Sequence, residues 1–472
     1  MNRDSKYRIL LKDTLIFALG NIGSKLIIFF LVPFYTKFLS PEEYGISDLV
    51  FTVSQLAIPF FSLVIFDAVI RFGIYRKEKP QDAFLIGLRV WAFGSVLAFA
   101  ATPLFGLYTA VSEWKWYITT YISINILLSV ELNYIKAINK NLVFSLISIT
   151  QTLILALLNI VFVAYYHMGI RGYLISYVTS SGVTAIITFF VGKLWAELRK
   201  ASYDSELAKQ MIKYSTPLIL NNLSWWVIQS SDKLMLENMV GKTALGIYAV
   251  AARIPSLIAV FVTIFQQAWG ISSSKEMDTS NDKGFYSNVL NIYSFIAFLG
   301  GIGMCTIIKP FMDIYVRSGS YGEVWRYVPL LLSSAVFSAL AAYCGSMYGA
   351  LKKSLNNMLS TLSAALVNII VNYLAIKAFG LWGAMIGTIV AYVILAFVRI
   401  IDVKRFVEIS IDWKKLISNS CILILQTVIV SISSVRTGFL ASGITIILFI
   451  MLNRKDFISI MEKLNRRRNS SV

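Results

Sequence analysis

The sequence predicts an all-α integral membrane protein of about 14 transmembrane helices, arranged as two pseudo-symmetric six-helix lobes plus two C-terminal helices. Three observations carry this. Hydrophobic residues make up 57% of the chain and charged residues only 14%, against ~25% charged in soluble domains; the mean hydropathy is +0.70. Apolar segments long enough to cross a ~30 Å hydrocarbon core recur with short polar breaks. Lysine and arginine collect in alternate breaks, as cytoplasmic loops of membrane proteins do.

In chain order the segments are 13–35, 44–71, 83–106, 115–135, 141–166, 172–196 and 213–237, then 243–270, 286–309, 324–350, 355–377, 381–403, 414–434 and 437–453. The first is long enough to span and lacks a small-residue cleavage site, so it is expected to remain as an anchor. The last two are separated by a very short turn at Arg436. With the N-terminus inside, about 30 Lys/Arg fall on the inner side and about 10 on the outer, a strong positive-inside bias that places both termini in the cytoplasm. The net charge of +18 therefore reflects topology and headgroup contact, not nucleic-acid binding. Cys305, Cys344 and Cys421 lie in apolar segments and the single histidine, His167, at a segment end. No disulfide framework, metal site, cofactor site or catalytic set emerges. No outer loop is long enough to fold as a domain, and no GxxxxGK[ST] phosphate loop occurs.

The two halves echo each other. EYGISDLVFTVSQLAI at helix 2 matches ALGIYAVAARIPSLIA at helix 8, pairing Gly45 with Gly246. KAINK (Lys136–Lys140) matches GALKK (Gly349–Lys353), and GIRGYLISY from Gly169 matches GLWGAMIGT from Gly380. Three matches in the same order, at offsets of about 200 to 213 residues, indicate an internal repeat. Six spans separate the copies, so the lobes share one orientation about an axis along the membrane normal, an arrangement that places a substrate pathway between them. The expected organisation is an N-lobe (1–196), a cytoplasmic linker (197–212), a C-lobe (213–405), an added helix pair (406–453) and a basic tail (454–472).

PFYTKFLSPEEYG (Pro33–Gly45), SSDKLMLENMVGKTALGIYAVAARI (Ser230–Ile254) and the Gly-x-x-Gly turns at Gly169 and Gly380 resemble the polysaccharide exporters of the MOP superfamily, relatives of the MATE multidrug exporters. The resemblance covers essentially the whole chain. It implies a Wzx-like flippase of the bacterial inner membrane that moves polyprenyl-pyrophosphate-linked oligosaccharide outward for O-antigen or capsule assembly by alternating access. It also implies a lipid-tail groove at the last two helices, and the polysaccharide polymerase and chain-length machinery as partners alongside membrane lipids.

The residues agree with such a substrate. A pyrophosphate crossing the hydrocarbon layer needs cations to replace its hydration. Lys25 lies about 18 Å along its helix from Asp13, and a lysine at that depth costs ~2.5 kcal/mol or more, which marks it as functional. Arg253 lies about 15 Å into helix 8. Each lobe thus offers one cation to a shared anion. Asp232 and Lys233, in the SSDKLML stretch, are candidates for neutralising a lobe cation or for ion coupling. Asp67 and Arg71 have the i,i+4 spacing of a helical salt bridge, a candidate gate. Arg89, about 9 Å inside helix 3, is expected to snorkel, and Asp48 and Glu131 are expected at the interface. Asn21, Asn222, Trp226 and Gln266 are the candidate sugar contacts, with Gln267, Trp225 and Trp269 nearby in kind; the competing role is helix–helix bonding or an interfacial belt. A MATE-type exporter is the alternative transporter, but it would favour carboxylates in its cavity. A membrane glycan polymerase or ligase needs paired carboxylates or a catalytic outer loop.

Overall fold

The computed structural model describes residues 23–75, 79–263, 265–266, 269, 283–316, 319–351, 353–407, 409–454 and 457. Asn21 and Gln267 lie outside them. All the described secondary structure is helical: α1 (23–38), α2 (Pro41–Ser62), α3 (Ile65–Tyr75), α4 (Pro80–Ala100), α5 (Thr102–Phe105), α6 (Lys115–Ala137), α7 (Asn141–Asn159), α8 (Gly169–Val191), α9 (Leu194–Leu198) and α10 (Ser205–Met239) come first. They are followed by α11 (Lys242–Ala251), α12 (Ser256–Thr263), α13 (Lys283–Tyr315), α14 (Val328–Ala350), α15 (Ser354–Phe379), α16 (Leu381–Val403), α17 (Trp413–Ile432) and α18 (Val435–Leu452). Among the described residues, eleven helical stretches are long and apolar enough to cross a membrane, and the bent pair α11–α12 makes up to 12. Helices at the two remaining expected segments, α1 and the more polar α10, are consistent with about 14.

Two expected continuous spans are broken. Helix 2 divides after Ser62, where Leu63 and Val64 take φ of 49° and 52°, a region costly for side chains with a Cβ and more so for a branched one. The backbone of Phe61 lies so close to α4 that a Cβ on Gly94 would meet the Phe61 carbonyl oxygen at 1.9 Å. Helix 8 divides at 252–255 with a 43° bend. The cause is legible: Pro255 lacks an N–H and disfavours the helical conformation at Ile254.

The chain forms two compact units, Met1–Ala249 and Val250–Val472. In the first, a core built from α3, α4, α6 and the start of α10 includes Ile65, Val69, Phe84, Val130, Tyr134, Leu207 and Met211. The 197–212 segment is packed against it. Asp204 caps α10 by accepting from the Glu206 and Leu207 amides, and Asp82 of α4 accepts from the Ser202 amide at 2.8 Å.

In the second unit, Arg399 of α16 is 1% exposed. Its guanidinium donates to the Ala341 carbonyl (2.9 Å), Ser360 Oγ (3.0 Å), Asn357 Oδ1 (2.7 Å) and Thr361 Oγ1 (2.8 Å), tying α16 to α14 and α15. It is a further cation within a predicted span, with a structural role. Lysine cannot reproduce this fork. Arg399→Lys is expected to cost at least about 3 kcal/mol, read as a lowered melting temperature in detergent.

The repeat is visible in the backbone. The Lys140 amide reaches the Ile135 carbonyl at 3.0 Å, and the Lys353 amide reaches that of Tyr348 at 2.8 Å, the same wrapped helix end 213 residues on. Gly169 and Gly380 both need glycine's conformational freedom, at φ of 54° and 56°. Between these landmarks the first copy is two residues longer, 140 to 169 against 353 to 380. A π turn at Ile160–Tyr165 and the short link after it take up the excess.

Candidate functional site

The first unit holds a polar cluster where the starts of the two sequence repeats meet. Ser40 caps α2 through a reciprocal capping box with Glu43, which sets the direction in which Gly45 and Asp48 are presented. A Cβ on Gly45 would lie 2.4 Å from the Lys242 carbonyl oxygen, and one on Gly246 would lie 1.8 Å from that of Pro41. The paired glycines of the repeat are thus the close crossing of α2 and α11. Beside it Lys233 of α10 pairs with Asp48 at 2.7 Å, and Tyr248 of α11 donates to the buried Asp232. The Trp226 indole donates to the Thr52 carbonyl at 3.0 Å.

At the far end of α10, Tyr108 donates to Glu237 at 2.5 Å and accepts from Asn238 at 3.1 Å. Burial, reinforced by Glu237, pushes the Tyr108 phenol up, so it stays the donor. Asp48 is buried, so removing Lys233 takes away a compensating charge in a low-dielectric setting. Lys233→Met is expected to destabilise by ~3–5 kcal/mol, and adding Asp48→Asn to restore most of that. A double-mutant cycle by thermal melting checks it.

Lys25 sits differently. Ser24 donates to the Ser148 carbonyl of α7 at 3.0 Å, which orients α1. Lys25 is exposed and forms no ion pair or hydrogen bond among the described residues. Its own stripe continues through Phe29, Val32 and Thr36, at i+4, i+7 and i+11, and these are all buried. Leu26 and Phe30, about 100–140° around the helix, are exposed apolar residues. The lysine therefore opens from the protein-facing stripe of α1, while the apolar side chains beside it suit lipid.

In the second unit Arg253 lies in the turn between α11 and α12, not inside a continuous helix as expected. Its amide bonds the Val250 carbonyl at 3.1 Å, and its carbonyl accepts from Ser256 Oγ at 2.5 Å. The Gln266 amide donates to the Ala342 carbonyl at 3.3 Å. Trp269 is buried against Phe265, Tyr286 and Tyr343, as a core residue and not part of an interfacial belt. Lys25 and Arg253 belong to different units.

The comparisons with known proteins fit this architecture. The model of the family described as "Polysaccharide biosynthesis protein" matches residues 10–270, more than half of the chain. The chain belongs to this family, within the MOP superfamily. The MatE model also matches, over 217–374. A 261-residue stretch is 22% identical to the "Lsg locus putative protein 1" of Haemophilus influenzae, covering 54% of this chain and 64% of that one. A 254-residue stretch is 19% identical to the "Probable low-salt glycan biosynthesis flippase Agl15" of Haloferax volcanii, covering 52% of each. The match thus spans less than two thirds of either relative. The lipid II flippase MurJ, in an inward closed conformation, superposes with a TM-score of 0.69 at 14% identity over 95% of this chain and 100% of that one. At that identity the likeness establishes the fold.

For this polysaccharide-family chain several sequence expectations need correcting. No Asp67–Arg71 ion pair forms among the described residues. Asp67 interacts with Lys136 of α6, and Arg71 lies over the Tyr214 ring at 4.2 Å. Asp48 and Glu131, expected at the interface, are buried within the protein, 7% and 2% exposed, and Glu131 Oε2 has no hydrogen-bond partner among the described residues. Arg89 is exposed and stacks over Tyr203 at 4.0 Å. Asn222 bonds its own helix at Leu218. Distance to a segment end gave no sign of the burial of Asp48, because helix 2 is entered through a turn covered by α11.

Proposed function

We propose that this chain is a flippase carrying polyprenyl-pyrophosphate-linked oligosaccharide across the bacterial cytoplasmic membrane for surface polysaccharide assembly, with both termini in the cytoplasm. The observation that carries this reading is Lys25, an exposed cation on the protein-facing stripe of α1. A lysine within an apolar span, with no carboxylate partner among the described residues, is expensive unless an anion visits it. Arg253, from the second repeat, supplies the second charge-assisted donor in this proposal. The head group enters from the cytoplasm while the prenyl tail stays in lipid, and the two repeats alternate between inward- and outward-open arrangements. The paired Gly45–Gly246 crossing and the Asp48–Lys233 bridge are contacts that such a motion would have to break and remake. A membrane potential or ion gradient supplies the energy.

The buried Asp232 and Glu131 favour a second reading, a MATE-type exporter of cations. Reconstitution into proteoliposomes separates the two. With a fluorescent lipid-linked oligosaccharide on one face, the flippase reading expects protein-dependent loss of fluorescence to an external quencher. Transport of a lipophilic cation with no movement of the glycan would establish the second reading instead.

A further inference from the structure

The second unit contains an apolar slot of about 800 Å³ that neither the anion site nor the polar cluster uses. α14 forms its floor, α16 one wall and α17 the other. The reason is in the packing. α17 lies along α13, α14 and α18, whereas it hardly approaches α16 along their length. The two walls meet at one end, where Trp413 stacks on Phe397 with ring centroids 6.3 Å apart. They diverge toward the other, leaving a wedge lined by Ile386, Val390, Val393, Ile424 and Val428. From Trp382 at the mouth to Ile394 is about 18 Å at 1.5 Å per residue, close to the ~15 Å hydrocarbon depth of one leaflet. α18 contributes no lining residue, so the slot is distinct from a groove between the last two helices.

The mouth carries the chemistry. Arg326 lines it, with its Nε 2.7 Å from Glu323 Oε2, and its two terminal nitrogens donate to nothing among the described residues. Tyr327 and Trp382 pack beside it, ring centroids 4.6 Å apart, the aromatic pairing of a membrane–water interface. Ser431, 1% exposed, also lines the slot, and its hydroxyl has no hydrogen-bond partner among the described residues. The mouth therefore presents one cation with free donors, one exposed carboxylate and a buried unpaired hydroxyl above a one-leaflet apolar wedge.

We propose that this slot holds a structural phospholipid with a zwitterionic phosphate–ammonium headgroup. One acyl chain fills the wedge between α16 and α17. The phosphodiester accepts from the terminal nitrogens of Arg326, and the ammonium meets the free face of Glu323. The opposite charges side by side select this headgroup over a purely anionic one, which Glu323 would repel. A polyprenyl carrier chain would outrun a wedge closed at Phe397–Trp413.

The test is native mass spectrometry of the full chain after delipidation, titrated with phosphatidylethanolamine, phosphatidylglycerol or a polyprenyl phosphate. The wild type should show one saturable phosphatidylethanolamine adduct. Arg326→Gln should weaken it about tenfold or more by removing a charge-assisted bond, Val428→Trp should abolish it by filling the wedge, and Glu323→Gln should shift preference toward phosphatidylglycerol. Circular dichroism and size exclusion confirm that each variant is folded. Equal binding of phosphatidylglycerol by the wild type, preferential binding of the polyprenyl phosphate, or full binding by folded Val428→Trp would each overturn the assignment.

Discussion

Lys25→Ala is expected to lower the rate of lipid-linked oligosaccharide flipping by about 10- to 100-fold, the value of one charge-assisted contact to a desolvated phosphate. Lys25 has no hydrogen bond or ion pair among the described residues, so its removal strands no partner. Expression, membrane insertion and melting temperature should therefore stay close to wild type. Lys25→Arg should retain most activity because the cation remains, and Lys25→Glu should be worse than alanine because it repels the substrate. Rates are read in proteoliposomes at matched protein density. An alanine variant that flips at the wild-type rate sinks the anion-clamp reading, whatever becomes of the fold.

The second large effect is expected at the glycine crossing. A Cβ at Gly246 would lie 1.8 Å from the Pro41 carbonyl oxygen, and both partners are backbone, so no rotamer change relieves the overlap. Gly246→Val should therefore cost more than the ~1–3 kcal/mol of ordinary overpacking. Because the clash exists only where α2 and α11 cross, a transporter with a second arrangement should respond by leaving this one. The readout is cross-linking of Tyr108→Cys to Asn238→Cys by a flexible bifunctional thiol reagent, because the parent side chains meet at their tips, 3.1 Å apart, and the length of tyrosine holds the backbones beyond the ~7 Å limit of a direct disulfide. Efficient cross-linking with Gly246 intact, and its loss in Gly246→Val without loss of folded protein, is the expected pattern. Cross-linking that persists unchanged would mean the helices separate nowhere near this contact.

Much of this was legible before any coordinates. The Gly-x-x-Gly turns, the wrapped helix ends at Lys140 and Lys353, and the Gly45–Gly246 pairing are local or repeated patterns, and repetition is visible in one dimension. The helix-8 break at Ile254-Pro255 was equally legible, since proline acts on its immediate neighbours, but the apolar run around it suggested one continuous span. What stayed hidden depends on neighbours distant in the chain. Asp48 and Lys233 are 185 residues apart in sequence and 2.7 Å apart in space. Arg399 reads as one more inner-end arginine until the hydroxyls of Ser360 and Thr361 and the carbonyl of Ala341 converge on it.

By itself the sequence determined the membrane class, the helix count and the doubled architecture, because hydropathy and period are properties of a segment alone. It also singled out Lys25, because a charge in an apolar run is costly wherever the run is placed. Tertiary structure alone decided which charges are satisfied. Asp48, Arg399 and Asp232 find partners on other helices, while Lys25 opens from the protein-facing stripe of α1 with no partner among the described residues. Whether a buried charge is structural or waits for a ligand is a question of what faces it, and facing is settled by packing.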